Sequence, residues 1–398
     1  MLARTLQSMA RRALSYLGAM LVIVSALIVL GGLVPKLPYL GVAGSAVLSP
    51  YGPWMIVLPF TGIACVVLAT SVRRSRSTAI LTGIGLMAAI GASVAVVRMV
   101  NAASGAGVSI HLTKAFSLST VFEPVPLDAT EQYGSYGQEV LRVAVYRPTG
   151  RSDRPAPVLV YVHGGGFVAG ARTDHAQDMK WFAERGWLVI SVDYPLSSEQ
   201  RHLWDQASRD IGCSLDWVAR NSPRYGADAS RLSLIGEFAG GSLVLNVAYM
   251  ANQGTLLSSC GGTVPHVSAV SALYPVVDLA GIYANPDAAL GSFSRRLAID
   301  YTGGVPEQYP DRYAAVSPAT HISPAAPPTF ILVGTSDHLV PPQGAYDFAA
   351  RAAAAGIEAH LVRFPYGEHG FDRMAGSIGN QLFRQATYNF LCSHGQAP

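Results

Sequence analysis

Acidic residues are missing from the first hundred positions of this 398-residue chain: all 25 Asp and Glu lie beyond residue 100, whereas eight of the 28 Lys and Arg lie before it. Charge is sparse throughout, at 13% of residues, and half the chain is apolar. That balance excludes a disordered or polyelectrolyte chain. The pI of 8.6 carries no nucleic-acid signal, because the excess cations flank apolar runs and the remainder of the chain is net acidic. Cysteine is scarce as well. Cys65 sits inside an apolar run, and Cys213, Cys260 and Cys392 remain, an odd number that cannot all pair. The histidines show no metal-ligand spacing and no phosphate-binding loop is present, so neither a metal nor a cofactor is expected.

Three apolar runs are long enough to cross a bilayer, which takes ~20 residues each: Leu14–Val34, Pro53–Val72 and Ala79–Val100. Each competes with a buried core helix, and the first also with a signal peptide. No small-residue cleavage site follows it closely and two further runs come next, which favours an anchor. On the third run Gly85, Ala89 and Ser93 fall four apart, a stripe suited to close helix packing in lipid. Arg4, Arg11 and Arg12 precede the first run, and Arg73, Arg74 and Arg76 separate the second from the third, while only Lys36 lies between the first two. The positive-inside rule then puts the N-terminus in the cytoplasm and residues 101–398 on the extracytoplasmic face. An outer domain admits a disulfide. Cys213 on a predicted helix and Cys260 just after the next make the favoured pair, against three free thiols.

Beyond a short linker, 101–115, strand-like and helix-like runs alternate from 116 to 398. Strands are predicted at Phe116–Phe122, Val140–Tyr146, Val158–His163, Trp187–Asp193, Arg231–Ile235, Val267–Tyr274, Thr329–Val333 and Glu358–Phe364. Helices are predicted at Ala176–Glu184, Leu203–Arg220, Ala239–Ala251, Gly344–Ala354 and Ile378–Leu391. Short apolar strands separated by helices predict a doubly wound, mostly parallel α/β sheet. Residues 278–325 break the alternation and read as an inserted cap.

Four sequence pieces stand at predicted strand ends, where ligands bind in open α/β sheets. His163-Gly164-Gly165-Gly166-Phe167 follows the third predicted strand, and its glycines let backbone N–H groups approach a ligand as an oxyanion hole requires. Gly236-Glu237-Phe238-Ala239-Gly240-Gly241 has the strand–turn–helix setting of a nucleophile elbow, G-x-S-x-G, but places Phe238 where the serine belongs. Asp337 follows the strand at 329–333, and His369 follows the last strand. The order nucleophile slot, acid, histidine fits a Ser-His-Asp arrangement. Singly, such an Asp is more often a turn residue and such a His merely exposed; jointly, in order and each at a strand end, they point to a site.

Residues 116–394 resemble the hormone-sensitive-lipase-like branch of the α/β-hydrolases, which carries HGGGF/W and GESAGG motifs. Asp193-Tyr194-Pro195-Leu196-Ser197-Ser198-Glu199 is similar to that branch's D-Y-R-L-A-P-E segment, with Pro195 in the Arg position, and Leu215-Asp216-Trp217-Val218 resembles part of the helix before the elbow strand. The resemblance implies a carboxylesterase or lipase with an α/β-hydrolase fold, and an anchored outer domain with an apolar cap suggests lipophilic or aryl esters, or lipids, as substrate. The resemblance also implies oxyanion N–H groups on Gly165, Gly166 and Ala239, and Asp337 orienting His369 as base and acid. The three apolar runs lie outside that pattern.

Phe238 admits three readings. The chain is an inactivated version of a working esterase, natural or introduced; or a pseudoenzyme that binds or adheres; or an enzyme in which Ser242 or Glu237 has taken over. Acyl transfer to another alcohol would use the same site. The first reading is favoured, because a settled pseudoenzyme has no need of Asp337, His369 and three glycines in register.

Overall fold

The computed structural model describes residues 2–70, 76–150 and 154–398. Contacts divide the chain into two compact units: Met1–Leu118 with Gly334–Ser336 and Phe364–Gln381, and Ser119–Val333 with Asp337–Arg363 and Leu382–Pro398.

The first unit is built on three long helices, α1 (Leu2–Leu33), α2 (Leu40–Ala69) and α3 (Arg76–Gly105). All three are long and apolar enough to cross a membrane. Each helix is longer than the apolar run expected to span. α2 begins well before Pro53 and takes in Pro50, Pro53 and Pro59, bending at Tyr51; proline is tolerated in apolar spans, where neighbours satisfy the freed carbonyls. α3 runs on to Gly105, into the expected linker. Arg73 and Arg74, which carry part of the orientation argument, lie outside the described residues. Glycine lets α1 and α2 approach closely: a Cβ on Gly44 would stand 2.3 Å from the Gly32 nitrogen, and one on Gly18 2.6 Å from the Gly62 oxygen. Of the expected stripe, Gly85 packs against Ile63, Ala89 is buried and the Ser93 hydroxyl donates to the Ala89 carbonyl at 2.8 Å. Val29, Leu48, Met55, Ala92 and Ala95 form the bundle core, while Leu17, Met20, Ile90 and Val94 face outward.

The second unit holds most of an eight-stranded sheet in the order β1-β2-β4-β3-β5-β6-β7-β8. The strands are β1 (Ala129–Tyr136), β2 (Glu139–Tyr146), β3 (Ala156–Val162), β4 (Leu188–Val192), β5 (Ala227–Glu237), β6 (Ala269–Leu273), β7 (Thr329–Gly334) and β8 (Ala359–Phe364). β1 and β2 form an antiparallel hairpin that pairs antiparallel with β4, and β4, β3, β5, β6 and β7 run parallel. The Thr329 N–H bonds the Glu358 carbonyl and the Thr335 N–H the Phe364 carbonyl, which sets β8 parallel to β7. Between strands lie α4 (Ala176–Ala183), α5 (Ala207–Asn221), α6 (Phe238–Asn252) and α10 (Gln343–Ala354), and α11 (Ile378–Leu391) follows β8. Every residue of β3, β4, β6 and β7 is buried, as a sheet covered on both faces requires.

Two departures from the sequence reading stand out. Phe116–Phe122 is no strand: a 3-10 turn covers Lys114–Phe116 and irregular chain follows. The strand that precedes β2 is instead β1, whose sequence ATEQYGSY is half polar because it lies at the sheet edge and buries only Tyr133. Three short helices occupy the stretch between β6 and β7: α7 (Leu279–Tyr283), α8 (Gly291–Thr302) and α9 (Pro310–Val316). A disulfide joins Cys213 to Cys260, the pair favoured from sequence.

Candidate active site

β5 ends at Glu237 and α6 begins at Phe238, with no residue between them. The reversal is concentrated in Phe238, whose φ of 52° lies in the left-handed region. A bulky side chain there costs ~1–3 kcal/mol. The flanking glycines make the turn possible. A Cβ on Gly236 would stand 2.5 Å from the Gly240 oxygen, and one on Gly240 only 2.1 Å from the Val162 oxygen and 2.4 Å from the His163 oxygen. The start of α6 is thereby pressed against the end of β3. Phe238 is buried, 6% exposed. Its ring edge lies against Gly166, 3.2 Å from where a Cβ would be, and the Leu297 side chain of α8 meets the same point at 2.7 Å.

The glycine loop leaves β3 at His163. Gly165 and Gly166 have φ of 88° and 63°, a conformation glycine adopts without the Cβ penalty. Their N–H groups donate to no acceptor among the described residues. Ala239 lies in the first turn of α6, where N–H groups have no intrahelical acceptor. His163 is buried and stacks on Tyr194 at 4.3 Å; burial holds its pKa below the ordinary value. The Tyr194 hydroxyl donates to the carbonyls of His163 and Gly164, at 3.0 Å each. The Gly164 N–H donates to the Glu237 carboxylate at 2.6 Å, so the residue preceding Phe238 braces the loop opposite it. Phe167 stacks face to face with Tyr301 of α8 at 3.8 Å. Sequence reasoning missed the bracing by Glu237 and the cover given by Leu297 and Tyr301. Only the acidic residue inside the elbow motif signalled the first, and nothing local signals a contact across 130 residues.

Asp337 is 5% exposed at the carboxyl end of β7, where its Oδ1 accepts the N–H groups of Leu339 and Val340 at 3.0 and 2.8 Å. His369 follows β8 within the helical unit and is half-buried; its N–H donates to the Glu368 carboxylate at 3.0 Å. In that unit the chain just past β7 is tied to the chain just past β8. The Ser336 N–H donates to the Gly367 carbonyl at 2.9 Å and the Tyr366 N–H to the Thr335 hydroxyl at 3.0 Å. A Cβ on Gly334 would stand 2.2 Å from the Gly367 oxygen. Ser242, the other hydroxyl near the elbow, is buried in α6 and its Oγ has no hydrogen-bond partner among the described residues.

The BD-FAE family profile matches residues 143–351, more than half of the chain and all of the elements that carry the glycine loop, the elbow and Asp337. The chain belongs to the BD-FAE family. This BD-FAE chain is 28% identical over 264 residues to Esterase LipQ of Mycobacterium tuberculosis, covering 65% of itself and 60% of that protein. It is 28% identical over 282 residues to Carboxylesterase NlhH of the same organism, covering 68% of itself and 83% of that protein. It spans about three fifths of the length of several of the curated relatives it matches. Among solved structures, a thermophilic esterase of Thermogutta terrifontis superposes with a TM-score of 0.56 at 24% identity, over 68% of this chain and 94% of that one. The likeness establishes the α/β-hydrolase fold.

Proposed function

We propose that this chain is a membrane-anchored ester hydrolase of the Ser-His-Asp type whose nucleophile position is occupied by Phe238, and that it is inactive or nearly so as it stands. The carrying observation is the left-handed φ of Phe238 at the β5–α6 junction, the strained turn that a nucleophile elbow uses to present its side chain. Asp337 orients His369, and the N–H groups of Gly165, Gly166 and Ala239 serve a developing oxyanion. The phenyl ring against Gly166 lies where an acyl group would sit. A ring carbon bears no ionisable proton, so His369 has nothing to activate. Without a nucleophile, binding and oxyanion contacts supply ~10³–10⁴-fold over water in the serine proteases, too little for turnover. The substrate is a lipophilic or aryl ester. α1–α3 cross a membrane, with the catalytic body on the extracytoplasmic side, and the helices at 279–316 act as a cap.

The test is p-nitrophenyl ester hydrolysis by the purified full chain and by Phe238→Ser. The parent should show only background and Phe238→Ser should turn over short or medium acyl esters. Phe238→Ser with His369→Ala should return to background. Parent activity abolished by Ser242→Ala would place the nucleophile elsewhere.

A further inference from the structure

The helical unit carries a groove of about 370 Å³ between α2 and α3, lined by residues that include Phe60, Leu86, Ala89, Ser93, Val94 and Arg98. Its walls are apolar apart from Ser93, whose hydroxyl is already bonded to the Ala89 carbonyl at 2.8 Å, and Arg98. Leu86 and Arg98 are twelve residues apart on α3, ~18 Å at 1.5 Å per residue. One leaflet's hydrocarbon is ~15 Å deep, half of the bilayer core, so the groove is as long as one acyl layer.

Arg98 ends the groove. It is exposed on α3, bonds the Tyr366 hydroxyl at 2.9 Å and lies 5.6 Å from that ring's centre. No Asp or Glu occurs in the first hundred residues, and among the described residues no carboxylate bridges to Arg98. A guanidinium has five N–H donors in a fork that matches phosphate, and one neutral partner leaves most of them for an anion. The loop that carries Tyr366 is fastened to the same helices. Tyr366 packs on the bundle core, the Tyr51 hydroxyl meets the Met374 sulfur at 3.0 Å, and the Glu368 N–H reaches the Ser49 hydroxyl at 3.4 Å. His369 is three residues beyond Tyr366 on that loop.

We propose that the α2–α3 groove binds one acyl chain of an anionic glycerophospholipid, with the lipid phosphate on Arg98. The proposal rests on reading α1–α3 as membrane spans. It deepens the proposed function by naming a substrate class, because the glycerol esters of such a lipid stand a few bonds from the phosphate and are brought to the loop that bears His369.

The full chain, reconstituted in phosphatidylcholine nanodiscs, is photolabelled with a trace of phosphatidylglycerol carrying an acyl-chain diazirine and, separately, with the phosphatidylcholine analogue. Labelled peptides are located by mass spectrometry. The phosphatidylglycerol probe should label residues 86–98 about fivefold more than the phosphatidylcholine probe, the size expected of one basic side chain at an anionic headgroup. Arg98→Gln should remove that preference and Arg98→Lys should keep most of it. Ser93→Phe, which fills the groove, should cut labelling of 86–98 by both probes; Val97→Phe does the same should Ser93→Phe fail to reconstitute. Labelling spread evenly over α1–α3, or a preference that survives Arg98→Gln, overturns the proposal. Ester turnover does not enter this readout, so an inert Phe238→Ser chain would defeat the hydrolase reading and leave the lipid site to be judged by itself.

Discussion

At the scale of single residues, the glycine loop is braced by side chains that lie outside it. Glu237 holds the Gly164 N–H and Tyr194 holds two loop carbonyls, so Gly165 and Gly166 can keep positive φ with their N–H groups open. His163 is built into the same knot as a neutral ring. Burial, the dominant influence, pushes its pKa below the ordinary 6.5, against the raising effects of the Gly164 carbonyl and nearby carboxylates. An unfolded His163 therefore takes up a proton that the folded chain refuses. Its contribution to stability is full above about pH 6.5 and is lost progressively as pH falls below that, towards the lower folded value. Melting temperature followed from pH 8 to pH 5 should fall less steeply in His163→Asn than in the parent. Equal slopes would show that His163 is not the group responsible. Gly164, Gly236 and Gly240 stood out in sequence because glycine marks a tight turn or a close backbone approach, and His163 because it opens the glycine run. Leu297 and Tyr301 were not, because their role arises only when α8 folds over the loop.

At the scale of elements, the disulfide and the edge hairpin make a contrast. Cys213 lies in α5 and Cys260 in the connection after α6, 47 residues apart. Closing a loop of that length lowers the entropy of the unfolded chain by an equivalent of ~4 kcal/mol in the chain-entropy account, and measured values run ~2–4 kcal/mol. Replacing both cysteines by alanine should lower the melting temperature by roughly 5–10 °C in a domain of this size, read by calorimetry under oxidising conditions. An unchanged melting temperature would mean that the bond contributes nothing. The pair was legible from the placement of Cys213 on one helix and Cys260 just after the next. β1 was not, since a half-polar edge strand carries no alternation strong enough to mark it, and the apolar Phe116–Phe122 stretch drew the assignment instead.

At the scale of the whole molecule, the prediction is topological. Arg11 and Arg12 stand in the N-terminal part of α1 with only Lys36 just beyond its other end, and residues 101–398 carry the acidic balance and the disulfide, a bond that persists in oxidising compartments. The turn joining β1 to β2 should therefore face outward. Gln138→Cys, in a chain whose Cys65 and Cys392 are replaced by serine, should react with a membrane-impermeant maleimide in intact cells. Labelling only after lysis would reverse the orientation.

By itself the sequence determined a doubly wound α/β sheet, the three apolar helices and the chain order of the glycine loop, the turn at Phe238, Asp337 and His369, because strand and helix periods, lipid-length runs and turn glycines are local signals, while the α/β-hydrolase expectation came from the resemblance of its motifs. Only the tertiary structure decided that the Phe238 ring lies against Gly166, that Glu237 and Tyr194 brace the loop, and that the His369 loop packs within the helical unit. Those are contacts between residues far apart in sequence, settled by which apolar faces close on one another, and no period along the chain records them.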